Sequence, residues 1–396
     1  MKYAFVLLAL GCLLTVVNAQ WLETTIQLDS GSAPHALCYN SQNNKVYCAN
    51  SGLGTVTVIG GDSNQVIATV PADPGPYDLC YNPTNNKVYC ANYGSYLDED
   101  STVTIVDGAT DSVIATLVVG HRPRALCCNP QDNKVYCANG SSNNVIVIDG
   151  ASNSVVATVA AGVGPRALCY NPTDHKVYCA NNSDSSVTVI DGAGDSVVAT
   201  VLVRRGPCAL CYNPTANKVY CAVWGPNQVT VIDGGTNSVI ATVQLMRDEP
   251  MACCYDPQNN KVYIAGRGDW GVNAGVSVID GASNDTIRSI ATDFGSRDLC
   301  LNPVQNRVYV ANYESSTISV IRDSMTGIEE SPKPQAIGYK QWPTILSGTS
   351  IGKHLASCVI FDAMGRRVVS AESGVYFIAV SGERSAVSVR KVVIQR

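Results

Sequence analysis

Residues 165–201 carry a pattern of apolar runs and polar breaks that most of the chain repeats. Ala167–Asn171 is a short apolar run closed by Pro172, after which Thr173-Asp174-His175 turns the chain. Lys176–Asn181 is a second run, and Asn182–Ser185 supplies polar loop residues. Val187–Asp191 alternates β-branched residues, Gly192–Asp195 turns again, and Ser196–Val201 is a fourth run. Short runs rich in Val, Ile, Thr and Tyr, bounded by Gly, Pro, Asn or Asp, predict four antiparallel strands. No stretch after residue 19 sustains a helical period, which excludes an α/β solenoid.

The string Lys-Val-Tyr-Cys-Ala-Asn recurs, in full or with small changes, with its tyrosine at Tyr47, Tyr89, Tyr136, Tyr178, Tyr220, Tyr263 and Tyr309. The spacings are 42, 47, 42, 42, 43 and 46 residues, the size of a four-stranded propeller blade. First, second and third strands each occur seven times, but fourth strands occur six times within the repeats, because Ile318–Ile321 runs on into Met325-Thr326-Gly327. The missing strand pattern stands at the other end, in Thr24-Thr25-Ile26-Gln27-Leu28. These residues are expected to complete the blade made by residues 297–322, closing the ring and removing two open sheet edges. The predicted fold is all-β, a seven-bladed β-propeller over residues 20–325 closed by its N-terminal strand.

The unit resembles the YVTN β-propeller repeat of surface-layer and YncE-like exported proteins, a WD40-like arrangement. The residues that carry the likeness are Tyr309-Val310-Ala311-Asn312, Tyr-Cys-Ala-Asn at 47–50, 89–92, 136–139 and 178–181, the Asn-Pro turns at 82, 129, 171, 213 and 302, and the Val-Ile-Asp-Gly strands at 189–192, 231–234 and 278–281. The resemblance implies the fold. It does not imply an activity, since propellers serve as platforms, scaffolds and enzymes alike.

Both ends of the chain read as addresses. Met1-Lys2-Tyr3 precedes an apolar run from Ala4 to Val17, and Val17-Asn18-Ala19 places small or apolar residues before a cut at Gln20. This is the pattern of a secretory signal over residues 1–19, too short in its apolar core for a membrane span. Residues 326–335 are an acidic, proline-containing linker. Residues 336–396 are expected to form a small β-sandwich. Their order of Val359–Val368, Gly374-Val375-Tyr376-Phe377 and Arg390–Arg396 is similar to the C-terminal sorting domain of type IX secretion cargo, without the usual Tyr-Pro-Asn-Pro start. In that likeness Gly374, Tyr376, Arg390 and Lys391 belong to the sorting motif, and the partner is the secretion machinery. The competing reading is an ordinary β-sandwich with no address. Charge separates the two parts: the whole chain is −5, residues 336–396 carry +5, and the remainder therefore carries −10. An acidic propeller argues against nucleic acid as a partner. The protein is expected to be exported, secreted or held at the outer cell surface, monomeric, without a transmembrane segment, and to act on an extracellular ligand or protein.

Of 17 cysteines, seven fall in phase on the first strand (Cys38, Cys80, Cys127, Cys169, Cys211, Cys254, Cys300) and five on the second (Cys48, Cys90, Cys137, Cys179, Cys221). Export makes disulfides between neighbouring strands plausible, and the strand register decides the matter. The last two blades keep Cys254 and Cys300 but have Ile264 and Val310 at the second position. A bridge loses both partners together, whereas a buried thiol exchanges with Val or Ile, so buried thiols are favoured. No Cys-x-x-Cys pair has the histidine spacing of a zinc site.

Candidate chemistry gathers at one position per blade. The residue three before each first-strand cysteine begins the strand nearest the axis: His35, Tyr77, Arg124, Arg166, Cys208, Met251 and Arg297, with Asp78 and Asp298 beside two of them. These positions are expected to ring one channel mouth, flanked by two enlarged loops, Tyr93–Ser101 and Gly266–Gly275. His35, Tyr77, Arg124, Arg166 and Arg297 converging in a concave mouth suit an anionic or sugar-like ligand. The alternative is a solvated rim of Arg–Asp pairs. Asp107, Asp149, Asp191, Asp233 and Asp280 precede Gly and read as turn residues. His121, His175 and His354 fall in different phases and form no common metal site. No nucleophile elbow or phosphate-cradling glycine loop is present. No metal, cofactor or catalytic residue is expected, and a non-enzymatic binding module is favoured over a propeller enzyme of lactonase or quinoprotein type, which would want more acidic ligands on the inner strands or tryptophan-docked blades.

Overall fold

The computed structural model describes residues 19–94, 101–245, 249–268 and 274–324, and the backbone of five strands between 345 and 394. The chain divides into two compact units, with the break between Glu330 and Ser331. The first is a propeller of seven four-stranded antiparallel sheets. In each blade the burial pattern follows radius. The second strand, for example Lys176–Asn181, is buried on both faces, and the third, Ser186–Asp191, nearly so. The outermost strand, Ser196–Leu202, is largely exposed. A strand covered on both sides must be apolar at successive positions, which is why Val-Tyr-Cys-Ala does not alternate.

Blades meet through apolar clusters, one at each blade-to-blade interface. Between the fourth and fifth blades, Cys169, Tyr178 and Val189 pack against Leu210, Val219 and Cys221. Polar locks seal the same interfaces. The Tyr178 hydroxyl reaches Gly234 O and Asn237 Oδ1 in the next blade at 3.1 and 2.9 Å, and Lys176 Nζ donates to the same carbonyl at 2.8 Å. Tyr47 with Lys45 bonds Gly108 and Asp111, Tyr136 with Lys134 bonds Gly192 and Asp195, and Tyr220 with Lys218 bonds Gly281 and Asn284. The receiving Asp or Asn sits at positive φ in the turn between third and fourth strands, a conformation Asn and Asp tolerate. In the second blade Asn85 Nδ2 takes Gly150 O at 2.7 Å, and the Tyr89 hydroxyl is left buried without a partner.

The N-terminal strand closes the ring. Ala19–Gln27 pairs antiparallel with Thr317–Ser324, with Ile26 opposite Ile318 and Leu22 opposite Ile321. The strand begins earlier than the expected segment, and its register slips between Leu22 and Thr24, so that Glu23 bulges. That bulge aims the Glu23 carboxylate at Arg307, whose Nε and Nη2 donate to it at 2.7 and 2.5 Å while Nη1 donates to Gly61 O of the first blade at 2.8 Å. Asp323 occupies the seam in place of the turn residue, accepting from Lys261 at 3.0 Å and from the Tyr263 hydroxyl at 2.6 Å.

Register also settles the cysteines. Cys169 lies opposite Tyr178 and Cys179 opposite Leu168, so the two thiols occupy adjacent rungs and opposite faces of the sheet. The same holds in the first blade, where Cys38 faces the cluster with the second blade and Cys48 the cluster with the seventh. All fifteen described cysteines are free.

Turn carboxylates cap as expected. Asp149 Oδ1 accepts from Ser152 N at 2.7 Å, and Asp233 Oδ1 from Thr236 N at 2.8 Å. In the second unit, strands Ile345–Leu346, Cys358–Asp362, Arg367–Val368, Gly374–Ser381 and Val387–Ile394 make one five-stranded sheet, antiparallel except where Ile345–Leu346 joins Val387–Ile394. The remainder of the expected sandwich, the signal segment 1–18 and the linker lie outside the described residues.

Two outcomes follow. A chain beginning at Ala33 lacks the closing strand and bares the edge of Thr317–Ser324, so its melting temperature should fall by more than about 5 °C relative to a chain that keeps Ala19–Gln27; an unchanged thermal scan would contradict closure by this strand. Tyr178→Phe should cost about 1–2 kcal/mol in urea denaturation, whereas Tyr89→Phe should cost close to nothing, because only the first removes a satisfied buried hydroxyl.

Candidate functional site: the channel mouth

The position picked out by phase has a structural basis. In every blade the pairing of first and second strands slips by one residue at the strand start: Pro34 pairs Asn50, but Ala36 pairs Ala49. The same slip recurs at Pro76/Asp78, Pro123/Ala125, Pro165/Ala167, Pro207/Ala209, Pro250/Ala252 and Ser296/Asp298. His35, Tyr77, Arg124, Arg166, Cys208, Met251 and Arg297 are therefore the bulged residues, excused from the ladder at the channel end. All seven line a cavity of about 220 Å³, and the residues that follow them, five alanines together with Asp78 and Asp298, line it too.

The rim is basic and aromatic. The His35 ring lies 3.7 Å from Tyr77 and edge-on to Tyr313 at 6.1 Å, and Tyr77 stacks on Tyr93 at 5.1 Å. The Arg297 guanidinium sits 4.9 Å from the Tyr313 ring centre, and those of Arg122 and Arg124 sit 5.5 Å from that of Tyr93. His35 Nδ1 is 2.7 Å from Tyr77 O. A carbonyl only accepts, so Nδ1 carries the proton and Nε2 is the acceptor. Burial, followed by Arg297 and the other two arginines, holds the His35 imidazole down at about 3, so the ring is neutral at physiological pH. Burial lowers Arg297 as well. Arg124 Nε and Arg297 Nε are buried with no acceptor.

The acidic residues do not neutralise this rim. Asp78 Oδ2 accepts from Leu126 N of the next blade at 2.5 Å, and Asp298 Oδ2 from Leu37 N at 2.6 Å. No ion pair joins Arg124, Arg166 or Arg297 to a carboxylate among the described residues, unlike the solvated rim of Arg–Asp pairs weighed from the sequence. Burial raises Asp78 to about 7; burial and then the Asp78 charge raise Asp298 to about 8. Cys208 is turned into hydrogen bonds with Pro250 O and Ala222 O at 2.9 and 3.3 Å, and burial lifts its thiol to about 12, which leaves it inert.

Sequence phase missed the aromatic tier. Tyr93, Trp224 and Tyr313 each follow the last residue of a second strand, with Arg267 at the same phase, paired to Glu314 at 3.0 Å. One more column of the same repeat alignment contains them. Residues 95–100 and 269–273 of the enlarged loops, with Asp98-Glu99-Asp100, Asp269 and Trp270, lie outside the described residues. Gly374 and Tyr376 fall on one strand of the C-terminal sheet and Arg390 and Lys391 on its neighbour, where Lys391 is opposite Phe377. His175 replaces the Asn found at this turn in other blades, at φ 51°, and bonds Asp132 and Asn129 of the preceding blade.

No family model and no curated protein matches the chain. Among solved structures, Kuenenia stuttgartiensis hydrazine synthase is similar, with a TM-score of 0.67 and 19% identity over 76% of this chain and 98% of that one. At that identity the likeness is one of fold, and it agrees with a seven-bladed propeller.

Between about pH 4 and about pH 8 the folded protein holds protons on Asp78 and Asp298 that the unfolded chain has released, so these two groups make stability fall as pH rises through that window. Replacing both, D78N with D298N, keeps an acceptor for the two backbone amides and removes the titration. The melting temperature of the double variant should gain on the wild type from about pH 4 to about pH 8 and level off above it; parallel curves would show that the carboxyls ionise normally.

Proposed function

We propose that the protein is an exported, YVTN-type propeller acting as a non-enzymatic binding module whose channel mouth takes a small anionic ligand. The observation that carries this reading is that Arg124, Arg166 and Arg297, from three blades, line one cavity without an ion-pair partner among the described residues. A concave site with convergent unpaired guanidinium groups and stacking rings is what carboxylate or sulfate recognition requires. Export is supported by the signal-like start of the chain, and delivery to the cell surface by the strings Val359–Val368, Gly374–Phe377 and Arg390–Arg396 in the C-terminal unit.

The test is a binding screen of anionic metabolites and glycans on the mature propeller, followed by arginine variants. The Arg166 side chain makes no hydrogen bond or ion pair among the described residues, which makes it the cleanest probe. A charge-assisted hydrogen bond is worth about 1.5–3 kcal/mol, so Arg166→Ala should weaken binding roughly tenfold or more with little change in melting temperature. Binding indifferent to Arg124→Ala, Arg166→Ala and Arg297→Ala alike would remove the mouth from consideration.

A further inference from the structure

The cavity carries basic and acidic groups at two levels that do not pair. At the rim stand three arginines. In the same cavity, one residue further along the inner strands, stand Asp78 and Asp298 on the second and seventh blades, flanking the first. At the same level the other five blades place Ala36, Ala125, Ala167, Ala209 and Ala252, whose small side chains leave the space open. Each aspartate spends one oxygen on a backbone amide of the next blade. Neither reaches an arginine, and two of the arginines keep a buried Nε without an acceptor.

We propose that the mouth binds a zwitterion of α-amino-acid type, its carboxylate held by the arginine rim and its ammonium by Asp78 and Asp298. This rests on the reading of the mouth as an anion site and names the ligand class. Size agrees: about 220 Å³ is below the range of roughly 300–1,000 Å³ that suits drug-sized ligands. The aromatic column of His35, Tyr77 and Tyr93 offers a stacking wall for the side chain.

The pH behaviour follows from the groups that face the two carboxylates. These are the rim residues already named and the buried thiols. Cys38, Cys90, Cys127 and Cys137 surround Asp78. Cys38, Cys48, Cys254 and Cys300 surround Asp298. Burial raises every one of these thiols, so they stay neutral, and His35 is already neutral. Only Asp78 and Asp298 change charge between about pH 6 and about pH 8.5, each losing a proton as pH rises. A bound ammonium should therefore be held more tightly as pH rises, and a plain anion less tightly.

The experiment is titration calorimetry on the mature full-length protein with the twenty free α-amino acids, their N-acetyl derivatives and the matching primary amines. At least one free amino acid should bind, its N-acetyl derivative should bind tenfold or more weakly, and its affinity should climb from about pH 6 to about pH 8.5. Asp78→Asn with Asp298→Asn should abolish that climb and weaken the amino acid while sparing anions that lack the ammonium. An N-acetyl derivative that binds as tightly as its parent, or an anion that binds where no amino acid does, would overturn the zwitterion and leave the anion site standing. Failure of every amino acid and every anion to bind would overturn both.

Discussion

A tyrosine hydroxyl, buried at the heart of each blade and in six of the seven bonded into the next, sets how the sheets stand against one another. Apolar contact between sheets is non-directional and permits sliding. The hydroxyl of Tyr178 on Gly234 O and Asn237, with Lys176 beside it, fixes the stagger of blade on blade. Six tyrosines make the bond, five to an Asp or Asn at positive φ and Tyr263 to Asp323 at the seam, while beside Tyr89 the Asn85 amide takes the carbonyl instead. Because the lock is polar and enclosed, removing one partner leaves another unsatisfied, so the ring is held by geometry as well as by area.

The channel inherits its dimensions from that stagger. Seven inner strands fixed at one angle bring seven bulged residues to one circle, and the composition of that circle decides what it attracts. Here the circle is three guanidiniums, an imidazole, a phenol, a thiol and a thioether. The thiol is consumed by backbone carbonyls and the imidazole is held neutral, so positive charge dominates the rim and acid lies only at the next level. The two levels differ by a single step along the strand, which is how a short sequence writes basic and acidic groups into one small volume.

Much of this was legible before any coordinates. Period, strand count and the stray N-terminal strand gave the closed ring, because each depends on spacing alone. The rim was legible for the same reason. Three things were not. The Lys-Val-Tyr motif conceals its partner, which lies about sixty residues on and alternates between Asp and Asn, so no local pattern marks it. The cysteine faces depend on a register that an irregular turn hides, although the exchange of Cys for Ile264 and Val310 pointed the right way. The ring contacts of Tyr93 and Tyr313 were not legible, because they belong to a second column of the repeat and only the fold shows that the two columns meet at the mouth. His175 is the instructive exception: as a residue it looks like chemistry, and in place it does an asparagine's work at a turn.

The slip in register at the head of each inner strand has an evolutionary side. A residue outside the ladder has no cross-strand neighbour to satisfy, so its identity is nearly free of the demands of folding. The propeller thus presents seven addressable positions on one circle, each on a separate copy of the same unit. Change at these seven sites alters the chemistry of the circle while every blade, turn and lock stays as it was.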